Sequence, residues 1–358
     1  MKRICIMRFT TISRGALLAS IALSTLTAFG QGANLDFLNH NEPILDAHNC
    51  YPYQGKWNDR IQRALNSGFP VSIEQDLAWY VDPATQKGRV VVSHTPQPTG
   101  EEPTLEDYFF KQVSPVVTKM IAEGKRDQWP LIVLHFDFKD NQTALLQGVW
   151  QVLGQHEEWL STAVKTSDAN TLSPIERKPI LVITEEADEQ QKVFYDDVPV
   201  GGRLRLFGSA HTHPTPKNMT REQLAHWAVT VSPNELISEK PTNYRRWWNG
   251  TWHEVEEGGE QRAGDWTAAD NARLRSLVDH AHAAGYWVRF YALDGFAPSE
   301  DQGWGMTYNF GSREAVVERW KAAIAAGVNF IATNQYEALA TYLKQDARRF
   351  RPSGPTGK

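Results

Sequence analysis

The stretch Leu131-Ile132-Val133-Leu134-His135-Phe136-Asp137-Phe138-Lys139 is an apolar run that closes in alternating charge. Two other segments share that form: Ile44-Leu45-Asp46-Ala47-His48-Asn49 and Val71-Ser72-Ile73-Glu74-Gln75-Asp76. A further histidine, His94, follows Val90-Val91-Val92-Ser93. Residues i and i+2 of a strand point to the same face. Glu74 and Asp76 therefore share a face of their strand, as do His135, Asp137 and Lys139 of theirs. Charge at alternate positions of an apolar strand is costly unless it is paired or holds a cation.

Outward from these segments, short β-type runs alternate with helical stretches. The runs at 43–48, 70–77, 130–138, 179–184, 203–208, 227–231, 286–292 and 328–332 predict strands. Helices are expected at 57–67, 104–123, 141–154, 267–284, 312–326 and 335–347. Thr267 with Asp270 three residues on marks a helix start. Gly285 and Gly327 each stop a helix and are followed at once by an apolar run. Eight strands with helices between them predict an α/β chain folded as one (β/α)8 TIM barrel rather than an open sheet. The chain shows no internal repeat and no linker, so residues 31–349 read as one domain and 350–358 as a flexible tail.

Two segments exceed ordinary connections. Residues 79–105 carry His94 and several prolines, and read as a hairpin and loop after the second strand. Residues 232–266 hold Tyr244-Arg245-Arg246-Trp247-Trp248, Trp252 and Trp266. They read as an aromatic-rich insertion after about the sixth strand, either a lid over the strand C-termini or a decorated surface patch. In the lid reading, Trp247 and Trp248 touch substrate or a membrane surface, and Arg245 and Arg246 add charge for phosphate.

The chain has 358 residues, 41% hydrophobic and 22% charged, with a formal charge of -5. No basic run marks a nucleic-acid partner. Lys2, Arg3, Arg8 and Arg14 precede an apolar stretch from Ala16 to about Phe29, and Ala28-Phe29-Gly30 has the small-x-small form of a cleavage site. At about fifteen residues the stretch is short for a span, which needs roughly 20. Residues 1–30 are therefore expected to be a signal peptide, with an uncleaved anchor as the alternative, and the mature chain secreted or periplasmic. Cys5 would leave with the signal and Cys50 would stand alone without a disulfide. A nucleophilic Cys50 beside His48 is a weaker reading, because it gives Glu74, Asp76 and Asp137 no task.

Hard divalent cations such as Mg²⁺ and Ca²⁺ take oxygen ligands. Glu74, Asp76 and Asp137, from neighbouring strand ends, can converge on one such ion, with Asn49 adding a carbonyl oxygen or binding substrate. The ion would neutralise a phosphate oxygen and orient the attacking group. Lys139 would bind the same phosphate as a point charge. His48 as general base and His94 as general acid change charge near neutral pH, and His135 would stand behind the ligands or touch substrate. Each residue alone has a plainer reading: a structural histidine, a solvated Glu-x-Asp face, a Lys139–Asp137 pair. Together, at the starts of successive βα loops, they read as a site.

These residues resemble the phospholipase-C-like phosphodiesterase superfamily, which includes glycerophosphodiester phosphodiesterases, bacterial phosphatidylinositol phospholipases C and spider-type sphingomyelinases D. Its pattern is a His ending the first strand, Glu-x-Asp on the second, a second His after a short hairpin, and acid-x-Lys on the third. Here these are His48, Glu74-x-Asp76, His94 and Asp137-x-Lys139. Ala64-Leu65-Asn66-Ser67-Gly68 is similar to the family's helix-ending turn. Tyr291-Ala292-Leu293-Asp294 is similar to the aromatic-x-x-acid strand of the sphingomyelinase D branch. Gly327-Val328-Asn329-Phe330-Ile331-Ala332-Thr333-Asn334 resembles the last strand. The match spans about residues 43 to 340 and is weak between 155 and 285. His48-Asn49-Cys50 stands where glycerophosphodiesterases read His-Arg-Gly, so a phosphate-gripping arginine is missing there, and the His-Asn opening is closer to bacterial and fungal members known only as phospholipase-C-like.

The resemblance implies a (β/α)8 barrel, a metal-dependent hydrolase, and a glycerophosphodiester or phospholipid-headgroup substrate; export is expected from residues 1–30. It places Tyr291, Asp294 and Asn334 at the substrate, and leaves transient membrane-surface contact open. Two alternatives remain at this point: a non-catalytic lipid or carbohydrate binder on the same barrel, and a TIM-barrel glycoside hydrolase.

Overall fold

The computed structural model describes residues 37–38, 42–53, 55–126, 131–297, 299–300 and 308–350, without the side chains of 261 and 346–350. The expected signal peptide lies outside these residues, as does the expected tail beyond Phe350, which ends the helix Tyr336–Phe350. The barrel strands are Ile44–Ala47, Val71–Val81, Ile132–Phe138, Ile180–Thr184, Phe207–Ser209, Arg245–Thr251, Trp287–Tyr291 and Phe330–Thr333. Each pairs parallel with the next, and the first pairs with both the second and the eighth, so the sheet closes into a (β/α)8 barrel. Closure removes free strand edges and puts all eight C-terminal ends at one mouth, where this fold builds its sites.

The second strand runs past the rim and pairs antiparallel with Gly88–Val92, from Leu77 opposite Val92 to Val81 opposite Gly88. That hairpin returns the chain to the mouth at His94. The backbone N–H of Ser93 donates to the Asp76 carbonyl at 3.0 Å, which fixes the return beside the second strand. A separate antiparallel sheet of Thr162–Val164, Ile175–Glu176 and Arg203–Leu204 stands outside the barrel.

The helix punctuation holds. Thr267 caps Ala268–Ala284 by a reciprocal pair of bonds with Asp270, and Gly285 and Gly327 end their helices at φ 101° and 82°. Neither angle suits a residue with a Cβ.

Two expectations fail together. Residues 227–231 are not a strand: Trp227 to Thr230 belong to the helix Arg221–Thr230, capped by a Thr220–Gln223 box. The sixth strand is Arg245–Thr251, inside the segment expected to be an insertion. Its residues mislead because asparagine and glycine are poor strand formers and the two arginines interrupt any apolar run. Tertiary partners supply what propensity lacks. Arg245 donates to the Ser209 carbonyl at 2.6 Å and to Gln191 Oε1 at 2.9 Å, and Arg246 donates to the Ser173 carbonyl at 2.9 Å. Gly250 is needed because a Cβ there would meet the Phe290 ring at 2.7 Å.

The aromatic residues are therefore core. Trp247, Trp248 and Trp252 are each 0% exposed. The Trp247 ring meets His135 edge-on at 5.2 Å and donates its N–H to the Thr184 carbonyl at 3.1 Å. Trp248 and Trp252 both pack edge-on against Phe290, at 5.5 and 5.7 Å. None offers surface to a ligand, so the lid is overturned, and with it the expectation that Trp247 and Trp248 touch substrate.

Candidate active site

Glu74 and Asp76 point into the barrel in register with His135 and Asp137 of the third strand. Ligand-type oxygens of Glu74, Asp76 and Asp137 lie within 4.8 Å of one another. Ligands at about 2.0–2.6 Å from one ion produce that spacing. The two oxygens of Asp76 differ in their partners. Oδ2 accepts from the Tyr51 hydroxyl at 2.5 Å and from Lys139 Nζ at 2.6 Å, and lies 2.8 Å from His94 Nδ1. Oδ1 is buried and has no hydrogen-bond partner. A buried carboxylate oxygen left so is costly, and a cation held with Glu74 and Asp137 would satisfy it. The donor set therefore fits a hard divalent ion.

Lys139 also binds Asp137 Oδ2, at 2.8 Å. Burial pushes the Asp137 carboxyl up to about 7, reinforced by the Asp76 charge and opposed by Lys139. Burial also works to raise Glu74, but His48, Arg289 and His135 outweigh it and hold that carboxyl well below the usual range. Burial would lower Lys139, and the Asp76 and Asp137 charges more than reverse it, so the ammonium stays charged.

Beneath this set a closed ring of side chains crosses the barrel. Arg289 Nη2 donates to Glu74 Oε2 at 2.5 Å and Nη1 to Asn249 Oδ1 at 3.0 Å. Asn249 donates to Glu185 Oε2 at 2.9 Å, and Glu185 Oε1 lies 2.9 Å from His135 Nε2. His135 Nδ1 returns to Glu74 Oε2 at 3.5 Å. Arg289 Nε also bonds Asp46 Oδ2. Burial and the Arg289 charge would lower His135, but its bond to Glu185 and the Glu74 carboxylate facing Nδ1 carry it up to about 9. The residue is 0% exposed. It shapes the carboxylates from behind, and substrate contact is excluded for it.

His48 follows the first strand and sets Nε2 3.7 Å from Glu74 Oε1. Its Nδ1 faces two amides, Asn49 Nδ2 at 3.1 Å and Asn334 Nδ2 at 3.3 Å. The Asn334 amide is itself oriented: Nδ2 donates to Asp294 Oδ2 at 2.7 Å and Oδ1 accepts from Arg60 at 2.9 Å. With amide hydrogens at Nδ1, neutral His48 carries its own hydrogen on Nε2. Asn49, Asp294 and Asn334, expected at the substrate, are all buried and instead hold His48. Asn49 does so from a left-handed turn at φ 51°, a conformation asparagine tolerates. The Ala292 backbone at φ 72° has no such excuse, and the turn it makes brings Asp294 back to Asn334.

His94 is more open. Its ring stacks on Tyr51 at 6.2 Å and meets Tyr53 edge-on at 5.5 Å. Tyr291 and Tyr308 stand on the other side, 6.4 and 5.9 Å from the His48 ring. Partly buried Tyr291 and half-exposed Tyr308 thus wall this side of the His48 ring.

Sequence reasoning missed Tyr51, Arg60, Glu185, Asn249, Arg289 and Tyr308. Arg289 carries the signal used for Glu74, a charge between apolar neighbours in Trp287-Val288-Arg289-Phe290-Tyr291. Asn249 was hidden with the sixth strand. Cys50, fully buried and pushed up to about 12 by burial, is not a thiolate at neutral pH.

No family model matches this sequence, and no curated protein does. Among solved structures, a glycerophosphodiester phosphodiesterase from Parabacteroides distasonis ATCC 8503 superposes with a TM-score of 0.45 at 13% identity, over 86% of this chain and 98% of that one. The wild-type HPPK-DHPS of Plasmodium falciparum with pterin and p-hydroxybenzoate superposes with a TM-score of 0.43 at 10% identity, over 86% of this chain and 48% of that one. Likeness at this level spans proteins of different kinds and carries no functional weight.

Proposed function

We propose that this chain is an exported, metal-dependent phosphodiesterase acting on a glycerophosphodiester or a phospholipid headgroup. The observation that carries this reading is the division of labour at Asp76. One oxygen is saturated by Tyr51, His94 and Lys139, and the other is buried without a partner beside Glu74 and Asp137. A divalent cation held there by Glu74, Asp76 and Asp137, Mg²⁺ or Ca²⁺ by the hardness of the donors, would supply charge for a phosphoryl oxygen.

The chain's own residues do the rest. Lys139 is a fixed positive charge at the mouth for the same phosphate. His94 has a carboxylate behind Nδ1, which orients the ring and stabilises its protonated form, the arrangement of a general base. His48, with its hydrogen on Nε2, is arranged to hydrogen-bond the leaving oxygen, and that oxygen can receive the proton that His94 takes from the nucleophile. This changes the roles expected from the sequence, and rests on the amides at His48 Nδ1. Attack by a substrate hydroxyl deprotonated by His94 would give a cyclic phosphate, and attack by water would give the open monoester.

The test is a panel of glycerophosphodiesters, phospholipids and a nitrophenyl phosphodiester, followed by ³¹P NMR of the products. Turnover of at least one phosphodiester is expected. Inactivity on all of them, with carbohydrate or lipid binding retained, would favour a non-catalytic barrel. Export rests on residues 1–30, and N-terminal sequencing of the mature protein near residue 30 tests it.

A further inference from the structure

Among the described residues, two overlapping sets of ligand-type atoms occupy the barrel, and Glu74 belongs to both. Besides Glu74, Asp76 and Asp137 there is a deeper set of Asp46, Glu74 and His135, also within 4.8 Å of one another and wholly buried. Two of its atoms lack hydrogen-bond partners: Asp46 Oδ1 and His135 Nδ1. His135 Nδ1 faces into the set, 3.5 Å from Glu74 Oε2 and 3.9 Å from Asp46 Oδ2. A cation already sits against this set. The Arg289 guanidinium bonds Asp46 Oδ2 through Nε and Glu74 Oε2 through Nη2.

We propose that Asp46, Glu74 and His135 form a latent second metal subsite, and that Arg289 is its resident cation and keeps the centre mononuclear. This inference rests on the reading of Glu74, Asp76 and Asp137 as holding one ion. Two carboxylates and the imidazole that His135 becomes on releasing its proton as an ion enters, with the bridging Glu74 shared, suit a borderline transition ion such as Mn²⁺ better than Mg²⁺, because of the nitrogen ligand. The guanidinium supplies the positive charge that the buried carboxylates need, in a planar group whose donors match them. Being covalently part of the seventh strand, it does so without leaving. It also pins Glu74 Oε2, so that Oε1 is the oxygen left toward the mouth.

The experiment is equilibrium dialysis of the full chain against Mn²⁺, with EPR of the loaded protein. Wild type is expected to bind one ion with an uncoupled spectrum. Arg289→Met is expected to bind two with a spin-coupled spectrum, Arg289→Lys one, and Arg289→Met with His135→Ala one. If Arg289→Met unfolds in chelator, Mn²⁺ is expected to restore its circular dichroism with two ions bound, and Arg289→Gln gives the same comparison with a polar side chain. One ion in wild type and in every folded Arg289 variant would overturn the subsite and leave the first site standing. No ion in wild type but one, dependent on His135, in Arg289→Met would fail the first site and keep the subsite. Two ions in wild type, or failure of Mn²⁺ to restore or doubly load either neutral variant, would also overturn it.

Discussion

The Tyr51 hydroxyl lies 2.5 Å from Asp76 Oδ2 and 2.9 Å from His94 Nδ1, so one phenol ties a candidate metal ligand to a candidate base. It also reaches Asn49 Oδ1 at 2.8 Å, and Asn49 in turn contacts His48. Burial, reinforced by the Asp76 charge, holds the phenol well above its ordinary pKa, so it remains a donor.

Tyr51→Phe keeps the ring stack and removes only these bonds. A hydrogen bond to a charged group is worth about 1.5–3 kcal/mol, so kcat is expected to fall about 10- to 100-fold with KM little changed. In a double-mutant cycle with His94→Ala the two effects should not add. Full activity in Tyr51→Phe would remove the phenol from the site's machinery.

His48→Ala and His94→Ala are each expected to lower turnover about 10²–10⁴-fold, the size of a lost acid or base. Thermal melting of His94→Ala should move little, since that ring is partly exposed. Near-normal turnover in His94→Ala would exclude it from proton transfer.

The tryptophans separate core from lid. Trp248 is fully buried, with its N–H on Thr212 Oγ1 at 3.3 Å. Trp248→Ala is expected to cost about 3–5 kcal/mol of stability, as for a large core ring, measured by denaturant unfolding. A stable variant whose KM rises only for bulky lipid substrates would restore the lid.

Glu254 gives a pH signature away from the site. Burial pushes its carboxyl up to about 8, against the opposing Thr251 backbone N–H and Arg273. The folded chain then holds a proton that the unfolded chain releases near pH 4.5, the ordinary value. Stability therefore falls as pH rises from there to about 8, by up to ~1.4 kcal/mol per unit. Glu254→Gln should match wild type below this window and exceed it increasingly across it. Parallel stability curves for the two proteins would contradict the raised carboxyl.

The barrel was legible where strands are mostly apolar, as at 44–47, 132–138 and 180–184, and where helices carry capping chemistry. It was illegible at the sixth strand because Arg245, Arg246, Asn249 and Gly250 are tolerated only through distant partners. The false strand at 227–231 had a local warning in Thr220-Arg221-Glu222-Gln223, a capping-box pattern. At the site, strand parity puts Glu74 with Asp76 and Asp137 with Lys139, while His48 and His94 are read from their places after apolar runs and from the resemblance. Parity could not show which polar residues face substrate. Hydrogen-bond partners decide that: Asn49, Asp294 and Asn334 are engaged in holding His48, and His135 in the ring with Glu185 behind Glu74.

Metal dependence is tested most directly by turnover of a nitrophenyl phosphodiester in EDTA, after return of Mg²⁺ or Ca²⁺, and in Asp76→Asn. Activity should vanish with chelator, return with one of the two ions, and stay absent in Asp76→Asn at any concentration of either. Undiminished turnover in EDTA, or an Asp76→Asn variant with wild-type ion dependence, would contradict a catalytic cation held by Glu74, Asp76 and Asp137.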